Sequence, residues 1–406
     1  MKRKFTLDIR MLIVCYGFLF VALPEALLTV PAEILTEKEN KALPELLPAP
    51  LKIDLESHTA HAAEWKQHAQ HQGHRQLFYP GSLAVLPEDG REIFFEAFAA
   101  ARKEIRIEIC VLEDPLILQS IEHALKRGVH VRAIVDNGKY ETTPAEQENL
   151  AKYLTRAGGQ LHLSNPIFPR SFPKVILIDE NYVLIGSACL DTTTFAQYRD
   201  FVYVSDAHSI IKAMSQLFEN DWQYSAKPGH AFPTFNPTPE ITQRNLLISP
   251  VNAASRLVSF IQKARHTLDV TSELLGNPTL ESQLSALSAK GVRVRLIAPE
   301  MVNGATPEIQ ALQISSLRKL KAAGVHVHVT QLPESSEFPY MHARSAVADG
   351  ECAYLGSVSL SPDSSTYNRG VGLILNDKHF VDKLQDQFEI DYHSKSQKLD
   401  FMPERG

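Results

Sequence analysis

The sequence of this chain repeats itself, because a stretch of its first half recurs without gaps in its second half. The matching residues keep one offset of 170 positions over about 50 residues. The pairs are Lys174 and Arg344, Asp179 and Asp349, Gly186 and Gly356, Ser187 and Ser357, Arg199 and Arg369, Phe218 and Phe388, and Asp221 and Asp391. A constant offset of this length indicates duplication of one structural unit.

Each half also shows a helix that runs into a strand. Residues 92–102 precede the strand-like residues 105–111, and residues 256–265 precede 268–274. In both halves a later helix ends at a glycine that is followed by alternating valines, a pattern typical of a helix stop and a strand start. We predict an α/β fold with two similar α/β-sandwich halves, related by pseudo-twofold symmetry and facing each other across one cleft.

The repeat and the composition of the connecting stretches divide the chain into six segments. The predicted segments are a signal peptide or signal anchor at 1–35, a Pro/His-rich linker at 36–78, repeat 1 at 79–226, a linker at 227–247, repeat 2 at 248–395 and a tail at 396–406.

The N-terminus has the pattern of an export signal. Four basic residues precede an uncharged stretch, 11–23, which Pro24 and Glu25 end. Thirteen residues are too few to cross the ~30 Å hydrocarbon core as a helix, and a longer anchor would have to bury Glu25. We predict an exported or membrane-associated protein of the periplasm or envelope, or a secreted one.

The charge of the chain argues against nucleic acid as a partner. Lys and Arg number 41 against 47 acidic residues, which gives a net charge of −6. Proteins that grip many phosphates of a nucleic acid usually carry a basic excess or a basic run. A nuclease is therefore disfavoured.

Three cysteines follow the N-terminal segment, namely Cys110, Cys189 and Cys352. They are far apart and form no C-x-x-C pair. Free cysteine is among the most buried residue types, so we predict three buried thiols and no disulfide framework.

A histidine-rich stretch precedes the first repeat. Its histidines are His58, His61, His68, His71 and His74. Imidazoles spaced along a helix suit zinc, copper or nickel, but no carboxylate or thiolate completes a ligand set, and the spacing drifts around the helix. We predict a solvated polar helix, and no metal or cofactor for the protein.

The repeated polar residues predict a phosphate site. In each half a cation, Lys174 or Arg344, stands five positions before an aspartate, and a Gly-Ser pair follows seven residues after it. Pseudo-twofold packing of two cations and two Gly-Ser turns makes one anion site with charged and neutral donors. The alternative is two unrelated strand ends with ordinary surface cations.

These motifs resemble those of the phospholipase D superfamily, HxKxxxxD followed by GSxN and then an acidic residue. The resemblance runs from about residue 79 to residue 392. The second copy matches at His342, Arg344 (for lysine), Asp349, Gly356 and Ser357, with Ser359 in the asparagine position and Gly370 in the acidic one. The first copy matches at Lys174, Asp179, Gly186, Ser187 and Asp200, with Phe172 in the histidine position and Cys189 in the asparagine one.

The resemblance implies a catalytic group and a substrate-binding group. The catalytic residues would be His342, Arg344, Asp349, Lys174 and Asp179, and the substrate-binding residues would be Ser187, Ser357 and Asp200. In the family one histidine attacks phosphorus and a second protonates the leaving alcohol. Phe172 can do neither, so we expect weak activity unless His162, or His342 of a second copy in a homodimer, supplies an imidazole. The internal repeat favours a monomer with an internal pseudo-dimer.

The sequence thus leaves three functions open. The first is a phospholipid phosphodiesterase or phosphatidyltransferase that works through a phosphohistidine, with a phospholipid or membrane surface as its partner. The second is an inactive phosphate- or lipid-binding pseudoenzyme, which the degenerate motifs favour. The third is a nuclease.

Overall fold

The computed structural model describes residues 76–138, 143–225 and 245–399, and each half contains one sheet with its helices. The first half contains β1 (Leu83–Leu86), α1 (Glu92–Ala100), β2 (Glu104–Ile109), α2 (Pro115–Lys126), β3 (His130–Val135), α3 (Pro144–Arg156), β4 (Gln160–Leu163), β5 (Val175–Ile178), β6 (Tyr182–Gly186), α4 (Thr192–Gln197), β7 (Tyr198–Ser205) and α5 (His208–Ser225). The second half contains β8 (Leu246–Ser249), α6 (Ala253–Ile261), β9 (Thr267–Ser272), α7 (Pro278–Ala289), β10 (Arg293–Pro299), α8 (Pro307–Ala322), β11 (His326–Thr330), β12 (Tyr340–Met341), β13 (Arg344–Ala348), β14 (Cys352–Gly356), α9 (Pro362–Thr366), β15 (Gly370–Leu375), α10 (Lys378–Ile390) and β16 (Gln397–Lys398).

The two sheets have the same topology. The first has the strand order β1-β7-β6-β5-β2-β3-β4, and the second has β16-β11-β10-β9-β13-β14-β15-β8. In each half three parallel strands with crossover helices adjoin an antiparallel meander of three strands. The predicted α/β fold with pseudo-twofold halves is confirmed.

Local sequence signals explain where the helices begin and end. Asp114 and Asn277 cap equivalent helices, α2 and α7, by accepting hydrogen bonds from backbone N–H groups of the first turn. Gly128 and Gly291 follow the same two helices with φ of 86° and 87°, a conformation that favours glycine. The predicted helix stops are therefore confirmed.

The two halves pack through one apolar core and two matched ion pairs. The core combines side chains of β5, β6, β7 and α5 with those of β13, β14, β15 and α10. Arg199 pairs with Asp391 at 2.9 Å, and Arg369 forms two hydrogen bonds to Asp221, at 2.7 and 2.5 Å. Each pair joins one half to the other, which explains why these four residues recur at the 170-residue offset.

A short strand exchange also joins the halves. Strand β12 of the second half pairs in parallel with β7 of the first, through Tyr340 opposite Tyr198. At the equivalent place Ser171 bridges to Arg369, and the N–H of Phe172 donates to the carbonyl of Arg369 at 2.9 Å. The segments that lead to His342 and to Phe172 are thereby each held against the opposite half.

A buried glutamate in this interface predicts a pH-dependent cost to stability. Glu108 lies on β2, and burial, followed by the nearby charge of Asp221, raises the pKa of its carboxyl well above the ordinary value. A group whose pKa is raised on folding lowers the stability of the folded state once the pH exceeds its unfolded value, about 4.3 for glutamate. We expect Glu108→Gln to raise the melting temperature at neutral pH.

The gain should shrink as the pH falls toward about 4, where unfolded glutamate also takes up its proton. Melting curves of both proteins across this pH range measure it. A Glu108→Gln variant that is less stable than the wild type at neutral pH would contradict the prediction.

Candidate active site

A histidine of the second half and a carboxylate of the first half meet where the two halves contact each other. His342 follows β12, and Asp200 lies on β7. The His342 Nδ1 donates to Asp200 Oδ2 at 2.7 Å, and both residues are buried. The other ring nitrogen, Nε2, lies 3.2 Å from Arg344 Nη1 and accepts from it, because a guanidinium only donates. This arrangement assigns the proton to Nδ1 and the lone pair to Nε2.

The carboxylate of Asp200 stays ionised although it is fully buried. Burial alone would raise its pKa, but His342 and Lys174 and the hydroxyl of Ser187 lower it below the ordinary value. Ser187 Oγ donates to Asp200 Oδ1 at 2.5 Å and accepts from the N–H of Phe201 at 3.1 Å. Ser187 and Asp200, predicted to bind substrate, are thus committed to each other and to His342. Through these hydrogen bonds they orient the imidazole, and their role in binding substrate stays a prediction.

The cation beside His342 is held by an acidic residue that the sequence analysis missed. Arg344 Nη2 donates to Oε2 of Glu273, and this oxygen lies 3.8 Å from His342 Nε2. The hydroxyl of Tyr340 donates to the other oxygen, Oε1, at 3.2 Å. Glu273 directly follows β9 and belongs to no motif. Its one signal is positional, since the equivalent residue after β2 is Cys110.

The second cation lies on the first half and contacts a disulfide. Lys174 Nζ lies 2.8 Å from Sγ of Cys189, which is bonded to Cys110. The prediction of three thiols is wrong for these two residues. The sheet order β6-β5-β2 places the ends of β2 and β6 at the same edge, and the Cα atoms of the cysteines that follow these strands lie 6.3 Å apart. Cys352 is free and half-buried.

The backbone at Lys174 departs from the regular strand that we expected. Its φ is 54°, in the left-handed region that residues other than glycine rarely adopt, and β5 begins one residue later. The expected alternation therefore fails at Lys174. It holds in the second half, where His342 and Arg344 project to the same side and contact each other.

Both motif aspartates lie away from this group. Asp179 follows β5 and Asp349 follows β13, at the strand ends opposite to Lys174 and Arg344. Asp349 accepts from the backbone N–H groups of residues 265–267, each at 2.8 Å, and Asp179 accepts from those of residues 102–104. These hydrogen bonds fix the turn before the adjoining strand, and a catalytic role for the two aspartates stays a prediction.

The pseudo-twofold counterpart of the His342–Asp200 pair is Phe172 and Gly370. A Cβ atom on Gly370 would lie 3.6 Å from Cε2 of Phe172, so the two residues face each other as His342 and Asp200 do. The hydroxyl of Ser357, which we predicted to bind substrate, accepts from the N–H of Val371 at 3.0 Å and donates to its carbonyl at 3.1 Å. The first-half imidazole and the second-half acid are thus missing as a pair.

Tyrosines border the imidazole. The ring centroid of Tyr198 lies 5.1 Å from that of His342, and its hydroxyl accepts from the Asn303 side chain at 2.7 Å. Burial raises the pKa of Tyr198 to about 12, and burial followed by the Glu273 charge raises that of Tyr340 well above its ordinary value. Both phenols therefore stay neutral near pH 7.

Other candidates from the sequence lie elsewhere. His162 stacks on Trp222 with ring centroids 3.7 Å apart, and its Nδ1 lies 2.9 Å from Ser225 Oγ. The histidine-rich stretch, the N-terminal signal and most of both predicted linkers and of the tail lie outside the described residues. Within residues 76–138, 143–225 and 245–399, no group of three or more His, Cys, Asp or Glu side chains is arranged to hold a metal ion.

The same described part of the chain has no helix that is both long and apolar enough to cross a bilayer.

Comparison with known proteins gives consistent matches over both halves. A family model described as "Cardiolipin synthase, PLD-like domain" matches residues 94–222 and 257–392. A cardiolipin synthase of Geobacillus thermodenitrificans (strain NG80-2) is 23% identical over 385 residues, which cover 86% of this chain and 74% of that protein. A mitochondrial cardiolipin hydrolase of Xenopus tropicalis is 30% identical over 157 residues, 38% of this chain and 68% of that protein.

Among solved structures, the phosphatidylserine synthase of Haemophilus influenzae Rd KW20 superposes with a TM-score of 0.62. Its sequence is 13% identical, and the match covers 78% of this chain and 87% of that one. At 13% sequence identity, this similarity shows a shared fold and no more.

Proposed function

Since the chain belongs to the phospholipase D superfamily, through its match to the cardiolipin synthase PLD-like family over both halves, we propose that it is a phosphodiesterase or phosphatidyltransferase of phospholipids. One observation carries this proposal. The Asp200 carboxylate fixes Nδ1 of His342, so that the lone pair of Nε2 faces the cation of Arg344. A nucleophile next to a cation, at the junction of two halves, suits attack on an anionic phosphodiester.

In the proposed reaction Nε2 attacks phosphorus and the bond to the leaving alcohol breaks. The product is a phosphatidyl group on His342, which is then transferred to water or to a second alcohol. The proton stays on Nδ1, hydrogen-bonded to the Asp200 carboxylate, which stabilises the positive charge that forms on the ring. Arg344 and Lys174 stabilise the phosphate oxygens.

The relatives support a lipid as the substrate. The matched proteins are named as a cardiolipin synthase and a cardiolipin hydrolase, and both names refer to the same glycerophospholipid. The acidic net charge of −6 gives no support to a nucleic-acid substrate. The substrate proposed is therefore a glycerophospholipid presented at a membrane surface.

The disulfide supports the proposal that the protein is exported. Disulfides persist in oxidising compartments and are rare in the reducing cytosol. The Cys110–Cys189 bond and the N-terminal pattern of basic and apolar residues therefore favour the same location. Because both halves of the site come from one chain, we propose that a monomer suffices for activity.

The substrate class is tested with the full-length protein. Vesicles that contain phosphatidylglycerol and cardiolipin are incubated with it, beside single-stranded DNA, and the products are separated by chromatography and identified by mass. We expect lipid products and intact DNA. A protein that binds the vesicles and converts no lipid would be the pseudoenzyme that Phe172 and Gly370 favour, and cleaved DNA would indicate the nuclease.

Removing either cation should weaken binding of an oxyanion. Charge-assisted hydrogen bonds contribute ~1.5–3 kcal/mol, so Lys174→Ala and Arg344→Ala should each lower tungstate affinity by roughly ten- to a hundredfold. Calorimetry measures this, with Lys378→Ala as the control, because Lys378 is exposed and pairs with Asp382. A wild type that binds no tungstate, or two variants that bind as well as it does, would contradict the phosphate site.

A further inference from the structure

The Glu273 carboxylate lies where the phosphate is expected, and the mechanism above gives it no role. One of its oxygens accepts from Arg344 and lies 3.8 Å from the attacking nitrogen of His342. The other accepts from Tyr340, and the residue is only 9% exposed. Glu273 therefore binds the guanidinium that a phosphodiester needs, beside the atom that would attack it.

Glu273 and a phosphodiester would compete for the same cation. Once the phosphate binds Arg344, the carboxylate is left beside a second anion in a nearly dry space. Each of two like charges placed this close opposes the ionisation of the other, so phosphate binding favours uptake of a proton by one of them. A phosphodiester is far too acidic to hold a proton near pH 7, which leaves the carboxylate as the group that gains it.

The groups beside the Glu273 carboxylate offer it little other compensation, because Lys174, the second cation assigned to the phosphate oxygens, contacts Cys189 of the first half. They are Arg344 from β13, His342 and Tyr340 from the segment around β12, and Tyr198 from β7. The two phenols are neutral, and Arg344 would be occupied by the phosphate. His342 is the one competing proton acceptor, and its Nε2 is the nitrogen that must keep its lone pair to attack.

We propose that Glu273 is the proton carrier of the reaction: it exchanges Arg344 for a proton when the phosphodiester binds, and it gives that proton to the leaving alcohol. This inference rests on the proposed function and supplies the general acid, which the proposed reaction does not yet include. Phe172 stands in the position where an imidazole would do this work, and its ring can hold no proton.

The proton and the electrons balance over two steps. In the first, the Nε2 lone pair forms the N–P bond, the P–O bond breaks with its electron pair on the alcohol oxygen, and the Glu273 proton moves to that oxygen. In the second, the Glu273 carboxylate takes a proton from water or from an acceptor alcohol. The acceptor oxygen bonds to phosphorus, and the N–P bond returns its electron pair to Nε2.

The test compares the wild type with Glu273→Gln. Glutamine has the same shape and can accept from Tyr340, but it cannot carry the proton. The matched control is Glu281→Gln, since Glu281 is also buried and pairs with Lys319 at 3.1 Å. Titration calorimetry in buffers of different ionisation enthalpy counts the protons taken up with tungstate, an oxyanion whose own charge is constant near neutral pH.

We expect one proton per tungstate for the wild type and for Glu281→Gln, with tungstate affinity falling as the pH rises. Glu273→Gln should take up none, bind tungstate more tightly near pH 8, and lose this pH dependence. On phospholipid its kcat should fall by roughly 10²–10⁴-fold while KM does not rise.

Two results would overturn the inference. One is a Glu273→Gln protein that still takes up a proton, which would place the proton on His342, and the other is a variant that keeps wild-type turnover. A wild type that shows the Glu273-dependent uptake but converts no phospholipid supports the exchange and contradicts the proposed function instead. The two proposals are therefore distinguishable.

Discussion

Replacing His342 with alanine is expected to abolish turnover of phospholipid, with a loss of at least about 10⁴-fold in kcat. The imidazole supplies the nucleophile, and water in its place would have to attack an anionic phosphodiester without activation. Asp200→Asn should cost less, roughly 10²–10⁴-fold, because a neutral amide cannot stabilise the charged ring and its NH2 group, if it faces Nδ1, favours the wrong tautomer. Steady-state assays on vesicles measure both losses.

A matched histidine variant makes this result specific. His162 is hydrogen-bonded to Ser225 and stacked on Trp222, and neither residue belongs to the candidate active site. We therefore expect His162→Ala to leave kcat within about twofold of the wild type. The same variant tests whether His162 replaces the imidazole missing at Phe172. Unchanged turnover in His342→Ala would remove the main support for the enzyme, and a large loss in His162→Ala would assign the second imidazole to it.

The wild type should also form an intermediate that the alanine variant cannot. A phosphoramidate is labile in acid and survives in base, so quenching with base and digesting the protein should preserve a phosphatidyl adduct on the peptide that contains His342. Mass spectrometry detects it. An adduct on any other residue would contradict the assignment of the nucleophile.

Most of what could be predicted about the fold was based on the internal repeat. A constant offset shows that two units are alike, and the alternation of helix and strand gives their class, so the two sheets could be predicted. Residues such as Arg199 and Asp391 were visible as members of the repeat. Their pairing across the halves was not, because it depends on how the two units face each other.

The site could be predicted only where a motif marks it. His342, Arg344 and Lys174 stand in recognisable spacing, and the structure places the first two in contact and the third near Asp200. Glu273 depends on sheet order, since β9 lies beside β13 although about 70 residues separate Glu273 from Arg344 along the chain. Periodicity within one segment contains no information on which strands become neighbours.

The disulfide was missed for the same reason, and removing it should strongly destabilise the protein. It closes a loop of 79 residues, for which chain entropy predicts about 4.5 kcal/mol of stabilisation. We expect the double variant Cys110→Ala, Cys189→Ala to melt roughly 10 °C below the wild type. Cys352→Ala is the control, because this half-buried cysteine is free and should shift the melting temperature far less.

Peptide mapping without reductant should recover a cross-linked Cys110–Cys189 peptide from the native protein. Equal melting temperatures for the double variant and the wild type would contradict the stabilising role of the disulfide. Two free thiols in the native protein would contradict the disulfide itself and the support that it gives to export.

Loss of the disulfide should cost stability and leave the chemistry largely intact. Cys110 and Cys189 occupy the first-half positions that correspond to Glu273 and Ser359, so the two halves use equivalent strand ends for different purposes. In the second half Glu273 binds Arg344 beside the nucleophile and Ser359 contacts Ser361, whereas in the first half the two cysteines are bonded to each other. Below its melting temperature, the double variant should therefore keep kcat within a few fold of the wild type. A folded variant that had lost turnover would mean that the disulfide sets the position of Lys174, whose ammonium contacts Cys189. The first half would then take part in catalysis more directly than its missing histidine suggests.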